Sequence, residues 1–315
     1  MIKSVQDYSV AVLLNSDNNV IYNIPRYQRE YKWGKPQWEN LFDDLLENDL
    51  GYFLGSIICI NQSQDTIKEQ HLELVDGQQR MTTLSIFLAA LYKSFLPFKK
   101  DMDEEQLSDL FVLKQKLVMK KSSQMRLVPQ AQNSNFDDYR AVLSQASLLD
   151  FPETPTNAGN RRVFKAFRYF TDRIETLSED KDGLSARHDL LERVNQSVMV
   201  KIEVNSHSDA YVLFESLNNR GTPLTAIDLI KNNLLAEVGR KDPAKIEIMF
   251  DKWKGLLENL TDDYTTQERF FRQFYNAFIQ EYRHITNVPF ATRSILINIY
   301  ERLISNDVFG FVDRI

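Results

Sequence analysis

Apolar positions recur along this chain at two periods. Val20–Ile24, Tyr52–Ile60, Leu72–Val75 and Val198–Val204 are short runs of apolar and β-branched residues bounded by turn residues, and they predict strands. Tyr52–Ile60 is apolar nearly throughout, which predicts a central strand. Gly55 inside it predicts close approach of another group to the backbone. The polar stretch Asn61–His71 joins it to Leu72–Val75 as an expected antiparallel pair. Helical spacing predicts a short helix over Val5–Leu14, and a second from Pro36 to about Asn48 that buries Trp38, Leu41, Phe42, Leu45 and Leu46. A third is centred on Ser85–Leu91, and others carry Leu107, Leu110 and Phe111; Phe136, Tyr139 and Val142; and Val163, Phe164, Phe167, Phe170 and Ile174. From Lys245 onward the pattern is all helix, with Thr265 and Glu268 as an expected capping box and an aromatic run from Phe270 to Tyr282.

These elements predict an α+β fold: a small mixed or antiparallel sheet, a large helical insertion at about 99–195, and a C-terminal helical bundle. The expected division is a domain over 1–238 and a helical region over 239–315. The chain has 315 residues, 43% apolar and 26% charged, enough for a substantial core. Its net charge of −6 means that any contact with nucleic acid must come from a local basic surface. Cys59, the single cysteine, excludes an intramolecular disulfide and a cysteine-rich metal site. No basic start followed by an apolar stretch marks a signal peptide, and no apolar run looks long enough to span a bilayer, so the expected location is the cytoplasm.

The candidate chemistry centres on Asp76-Gly77-Gln78-Gln79-Arg80, between a strand and a helix. A helix starting here aims free N–H groups and a positive dipole end above the strand, a natural anion cradle. Arg80 adds a forked donor suited to phosphate, and Gly77 lets a ligand approach the backbone. Ordinary capping by Asp76, with Gln79 reaching back, is the competing account. It explains neither a glycine at the helix start nor an arginine in the first turn. A second stretch, Ile24 to Trp33, interleaves Arg26, Arg29 and Lys32 with Tyr27, Tyr31 and Trp33 around Gln28. Such a loop suits a base with its phosphates, or an extruded DNA base, unless the aromatics fold into the core. In a third stretch, Phe214 to Leu224, Gly221, Thr222 and Pro223 read as helix punctuation, which leaves Asn218 and Arg220 unexplained. Asp228, Lys231 and Asn232 form a polar stripe at helical spacing, for which an intrahelical ion pair is the simple account.

The sequences IPRYQREYKW, LVDGQQRMTTL and FESLNNRGTPL, in this order along the chain, resemble the GmrSD-type restriction-endonuclease N-terminal domain, a nucleotide-binding relative of the ParB/sulfiredoxin fold. The resemblance spans roughly residues 1–238. It implies an NTP with Mg2+ as cofactor, and Asp76, Gln79 and Arg80 as catalytic residues, with Asp76 also the metal ligand. It implies nucleotide contacts from Gly77, Gln78, Gln28, Arg29, Asn218 and Arg220, since the third motif folds onto the DGQQR turn in this family. Asp228, Lys231 and Asn232 would support the site from behind, while Arg26, Tyr27 and Tyr31 would face DNA bearing modified bases or phosphates. The implied role is a nucleotide-hydrolysing sensor of an anti-phage restriction system. The nuclease is expected in a further C-terminal domain or on another chain, because no nuclease motif surrounds His71, His188, His207 or His284. Self-association stays open. A non-catalytic module reading modified DNA is the alternative, with Lys114, Lys116, Lys120, Lys121, Arg126, Arg161, Arg162, Lys165 and Arg168 of the insertion as a possible DNA-facing surface. No P-loop sequence is present.

Overall fold

The computed structural model describes residues 2–314 except 16, 26, 27, 29, 64–68, 121, 131–134, 152–154, 157, 178–182, 207, 208, 211, 212, 214–224, 261 and 262. The fold is mixed α+β, as the patterning predicts. Contacts divide it into two compact units, Ile2–Val204 and Asn205–Ile315. The expected division near 238 followed the extent of the motifs, a different criterion from contacts.

The first unit holds a six-stranded mixed sheet: β1 (Ile2–Ser9), β2 (Val20–Asn23), β3 (Phe53–Asn61), β4 (Gln70–Asp76), β5 (Leu127–Val128) and β6 (Val198–Val204), in the order β1-β6-β3-β4-β2-β5. β3 is central, parallel to β6 and antiparallel to β4. β2 runs parallel to β4 and to β5. The helices of this unit are α1 (Val10–Leu13), α2 (Lys35–Glu47), α3 (Gln78–Phe95), α4 (Glu104–Gln115), α5 (Asn135–Gln145), α6 (Arg162–Leu177) and α7 (Gly183–Gln196). α3 packs against α4, α5, α6 and α7, and nearly every one of its residues is buried. A helix apolar on all sides requires that central position.

α3 corrects one expectation. The stretch Gln78–Phe98 is long and apolar enough to cross a membrane by length and composition. Its burial among the helices of this unit accounts for that apolar character instead.

The expected helix over Val5–Leu14 is mostly strand. Ile2–Ser9 pairs antiparallel with β6, and only Val10–Leu13 is helical, capped by Ser9 through the Val12 N–H. Val5 and Val12 are about half exposed. Pairing with a neighbouring strand overrode a weak local period. In α4 the buried face runs through Leu110 and Leu113, while Leu107 and Phe111 are exposed. The insertion is not wholly helical either. β5, too short to show a period, joins the sheet edge where Arg126 C=O accepts from Tyr22 N–H and Val128 C=O from Ile24 N–H, each at 2.8 Å.

The second unit is helical where described. Ala226–Lys241 starts at Thr225, whose hydroxyl and Asp228 form a capping box. Ile246–Glu258, Tyr264–Ala277, Ile279–Thr286, Leu296–Asn306 and Val308–Arg314 follow. Trp253 stacks on Phe271 at a centroid separation of 5.4 Å, and Tyr300 meets Phe271 edge-on at 5.2 Å. The expected capping box at Thr265 is replaced by Asp263, which accepts from Thr266 N–H at 2.9 Å. Glu268 is buried and bound instead to Arg293 at 3.1 Å and to the Tyr264 hydroxyl at 2.9 Å.

Candidate functional site at the β4–α3 corner

β4 ends at Asp76, the chain turns at Gly77, and α3 begins at Gln78. Gly77 is the N-cap, in the left-handed region at φ 82°, and no side chain caps the helix. A Cβ on Gly77 would lie 2.7 Å from Ile57 Cγ2 and 2.9 Å from Ser56 O, so only glycine fits. The capping account through Asp76 and Gln79 is not the one the chain takes. The N-cap is a glycine, so it offers no side-chain cap to the first N–H groups of this 18-residue helix, the positive end of its dipole.

Arg80 sits in the first turn and donates from Nη1 to Ser56 O at 2.6 Å. Its guanidinium lies against the backbone of Gly55, which is at φ 112°. The close approach predicted at Gly55 is therefore real, and the approaching group is Arg80. Burial lowers the Arg80 pKa, and the Asp76 carboxylate opposes that shift. The corner thus carries a fixed, partly desolvated cation beside a carboxylate.

The glutamines fasten the IPRYQREYKW motif onto the DGQQR turn. Gln79 Oε1 accepts from the N–H groups of Lys32 at 2.7 Å and Trp33 at 3.2 Å, and its Nε2 donates to Glu30 O at 3.1 Å. Gln78 Nε2 donates to Gln28 Oε1 at 2.7 Å, and Gln28 Nε2 donates to Val75 O at 2.8 Å. Gln130 Nε2 donates to Gln28 O, and Arg162 Nη1 to Lys32 O at 2.6 Å. All three motif glutamines are buried, and these bonds run to the protein. That geometry supports a positioning role for Gln28, Gln78 and Gln79. Nothing in the sequence marked Ser56, Gln130 or the loop-holding role of Arg162.

Tyr31 belongs to the core. It is buried, its hydroxyl pairs with Thr83 Oγ1 at 2.7 Å, and it accepts from Trp38 Nε1 at 2.8 Å. Burial raises its pKa. The DNA-facing role expected of Tyr31 lacks an exposed ring to perform it. Two cations of the expected DNA-facing set are also interior. Arg126 is fully buried and donates to the carbonyls of Gln115, Asn18 and Val20, and Lys116 is 3% exposed. Arg161 pairs with buried Asp138.

Arg26, Tyr27, Arg29, Asn218 and Arg220 lie outside the described residues. In the second unit, Asp228 serves the Thr225 cap and stands 3.5 Å from Lys231, and Asn232 is buried. The simple intrahelical account therefore describes the Asp228–Lys231 pair. Among the described residues no group of three or more His, Cys, Asp or Glu side chains gathers to hold a metal.

The fold and this corner define an α+β domain whose central strand–glycine–helix turn presents helix N–H groups, a fixed arginine and one carboxylate. The sequence profile of the GmrSD restriction endonuclease N-terminal domain matches residues 10–235, and the chain belongs to that family. Membership makes it a domain of a restriction system that acts on DNA. Comparison with curated proteins gives no match.

Proposed function

We propose that the β4–α3 corner binds the phosphates of a nucleoside triphosphate, and that hydrolysis there serves as the sensor step of a modification-dependent anti-phage restriction system. The observation that carries this reading is the uncapped start of α3 directly after Asp76, with Arg80 held at its side. Phosphate oxygens would take the N–H groups at the start of α3 and the guanidinium edge of Arg80. Hydrolysis of this kind depends mainly on positioning and charge neutralisation, which fixed donors supply. Gln79 holds the loop of the IPRYQREYKW motif over the corner and so sets its entrance. A single carboxylate suits magnesium, which commonly takes one or two protein carboxylates plus substrate phosphates. Asp76 would hold that ion, which when bound neutralises phosphate charge, or else orient the attacking water. The expected nuclease would lie in another domain or chain.

Phosphate release from ATP, GTP, CTP and UTP, compared between the wild type and Arg80→Ala, tests the assignment. Loss of turnover in the variant with an unchanged melting temperature supports it; equal release from both proteins removes Arg80 from the reaction. The second reading, a DNA-reading module without turnover, is favoured by one observation: the motif glutamines spend their amides on the fold. Retention of modified duplex in gel shifts without nucleotide, together with no turnover, would establish it.

A further inference from the structure

A second cleft lies away from the corner, at the opposite end of β4. His71 is the second residue of that strand and Asp76 the last, a separation of roughly 16 Å at ~3.3 Å per residue. The cleft encloses about 550 Å³ between the β2–β5 edge of the sheet and the α5 region, within the ~300–1,000 Å³ typical of ligand sites. One wall is aromatic. The Arg140 guanidinium lies 4.0 Å from the centroid of the Phe151 ring and 5.5 Å from that of Phe136. No carboxylate pairs with Arg140 among the described residues. On the sheet side, Asn23 Nδ2 meets His71 Nδ1 at 3.3 Å, which leaves the Asn23 carbonyl as a polar group at the cleft, while the far ring nitrogen of His71 lies 3.8 Å from the Glu69 carboxylate. Asp150 adds a carboxylate at the rim.

Ser123 and Leu148 also line a smaller cleft of about 230 Å³, so the two are contiguous. This neighbour is cationic. Lys114 and Lys120 line it without a carboxylate partner among the described residues, Lys120 lying 5.9 Å from the Phe111 ring. Gln115 lines it too; it is 4% exposed, and its Nε2 has no hydrogen-bond acceptor. A buried amide donor with no acceptor is costly unless an acceptor arrives.

We propose that this double cleft binds a nucleotide unit: a nucleobase on the aromatic side and its phosphate on the Lys114–Lys120 side. Two aromatic rings flanking a planar guanidinium make a platform for a base of any sequence. The Asn23 carbonyl offers a hydrogen-bond acceptor to a base edge. Asp150 repels an anion from the aromatic end, and the lysines with the orphan Gln115 donor attract one at the other. The net charge of −6 makes such a local basic cleft the kind of surface through which this chain meets a polyanion. The ligand is either a free mononucleotide or one nucleotide of a single-stranded or extruded segment of DNA. The inference is independent of the function proposed for the corner.

The test measures binding of the four nucleoside monophosphates, of inorganic phosphate and of a labelled single-stranded oligodeoxynucleotide to the full chain. The variants are Lys114→Glu/Lys120→Glu, Arg140→Gln and, as control, Lys100→Glu, an exposed lysine that lines neither cleft. The expected result is at least tenfold weaker binding of nucleotide or strand in the first two and unchanged binding in the control. Binding of monophosphates assigns the free nucleotide; binding of the strand alone assigns DNA. Hydrogen exchange on the wild type gives a readout that needs no variant, with protection by the bound ligand expected across residues 114–124 and 136–151. No binding of either ligand, undiminished binding in both cleft variants, or protection confined to residues 76–80 overturns the proposal.

Discussion

Arg80 lies so close over Gly55 that a Cβ at residue 55 would fall 2.6 Å from its Cζ. Arg80 belongs to the turn motif and Gly55 to the central strand, yet they form a single device. Gly55 at φ 112° opens the space, and Ser56 O anchors the guanidinium. Gly55→Ala should therefore damage stability and site together. The backbone strain costs ~1–3 kcal/mol, and crowding against Arg80 adds to it. Thermal melts of Gly55→Ala, Arg80→Ala and the double variant form a cycle. The double variant should be more stable than the sum of the singles implies, because removing the guanidinium relieves the crowding. Strict additivity would show that Arg80 does not press on residue 55.

The patterning reached the sheet, the central place of β3 and the long helices because those elements bury whole faces, and burial writes a period. The corner was legible as chemistry: a glycine and an arginine stood where helix logic disfavours them, and both prove to be committed to the turn. What escaped has a common cause. β1 is an edge strand whose state is set by pairing with β6, far along the chain. β5 is two residues long and carries no period. The glutamines looked like ligand donors because an amide pattern does not say whether its partner is substrate or backbone. Arg126 and Lys116 looked like surface charges because burial of a cation depends on carbonyls brought from elsewhere.

Gln79 carries three hydrogen bonds to the loop ahead of α2. Gln79→Leu keeps the volume but abandons the Lys32 and Trp33 N–H groups and the Glu30 carbonyl. Each lost bond is worth ~0.5–1.5 kcal/mol, so the loop should loosen well before the fold melts. Hydrogen exchange at Lys32 and Trp33 should accelerate by an order of magnitude or more, while amides of β3 keep their protection. In the phosphate assay, KM should rise more than kcat falls if Gln79 acts through the loop. A pure collapse of kcat at constant KM would argue that it touches the reacting groups.

Tyr31 separates core from interface. Tyr31→Phe keeps the ring and removes the hydroxyl that serves both Thr83 and Trp38. The buried indole N–H of Trp38 then lacks its acceptor, at a cost of ~1–3 kcal/mol. The melting temperature should fall by several degrees, and affinity for DNA, measured on the folded variant, should not change. A loss of DNA affinity without a loss of stability would return Tyr31 to the surface role its motif suggested.

Lys116 makes a prediction about pH. It is 3% exposed, and burial, with Arg126 nearby, pushes its pKa down from the ordinary 10.5 to about 8, against the opposing pull of Asp109. Below pH 8 the folded and unfolded chains both hold the proton, and the full burden of the buried charge falls on the fold. Between about 8 and 10.5 the unfolded chain still holds a proton that the folded chain has released, so stability from this group rises with pH across that window. The burden at neutral pH is at most about 3.5 kcal/mol, from ~1.4 kcal/mol per pKa unit. Lys116→Met should therefore raise the melting temperature at pH 7 and flatten the rise between pH 8 and 10. Denaturant unfolding of both proteins across pH 6–10 checks the two effects at once. A variant less stable than the wild type at pH 7 would mean that the ammonium is satisfied where it sits, and that the buried cation is an asset of the fold.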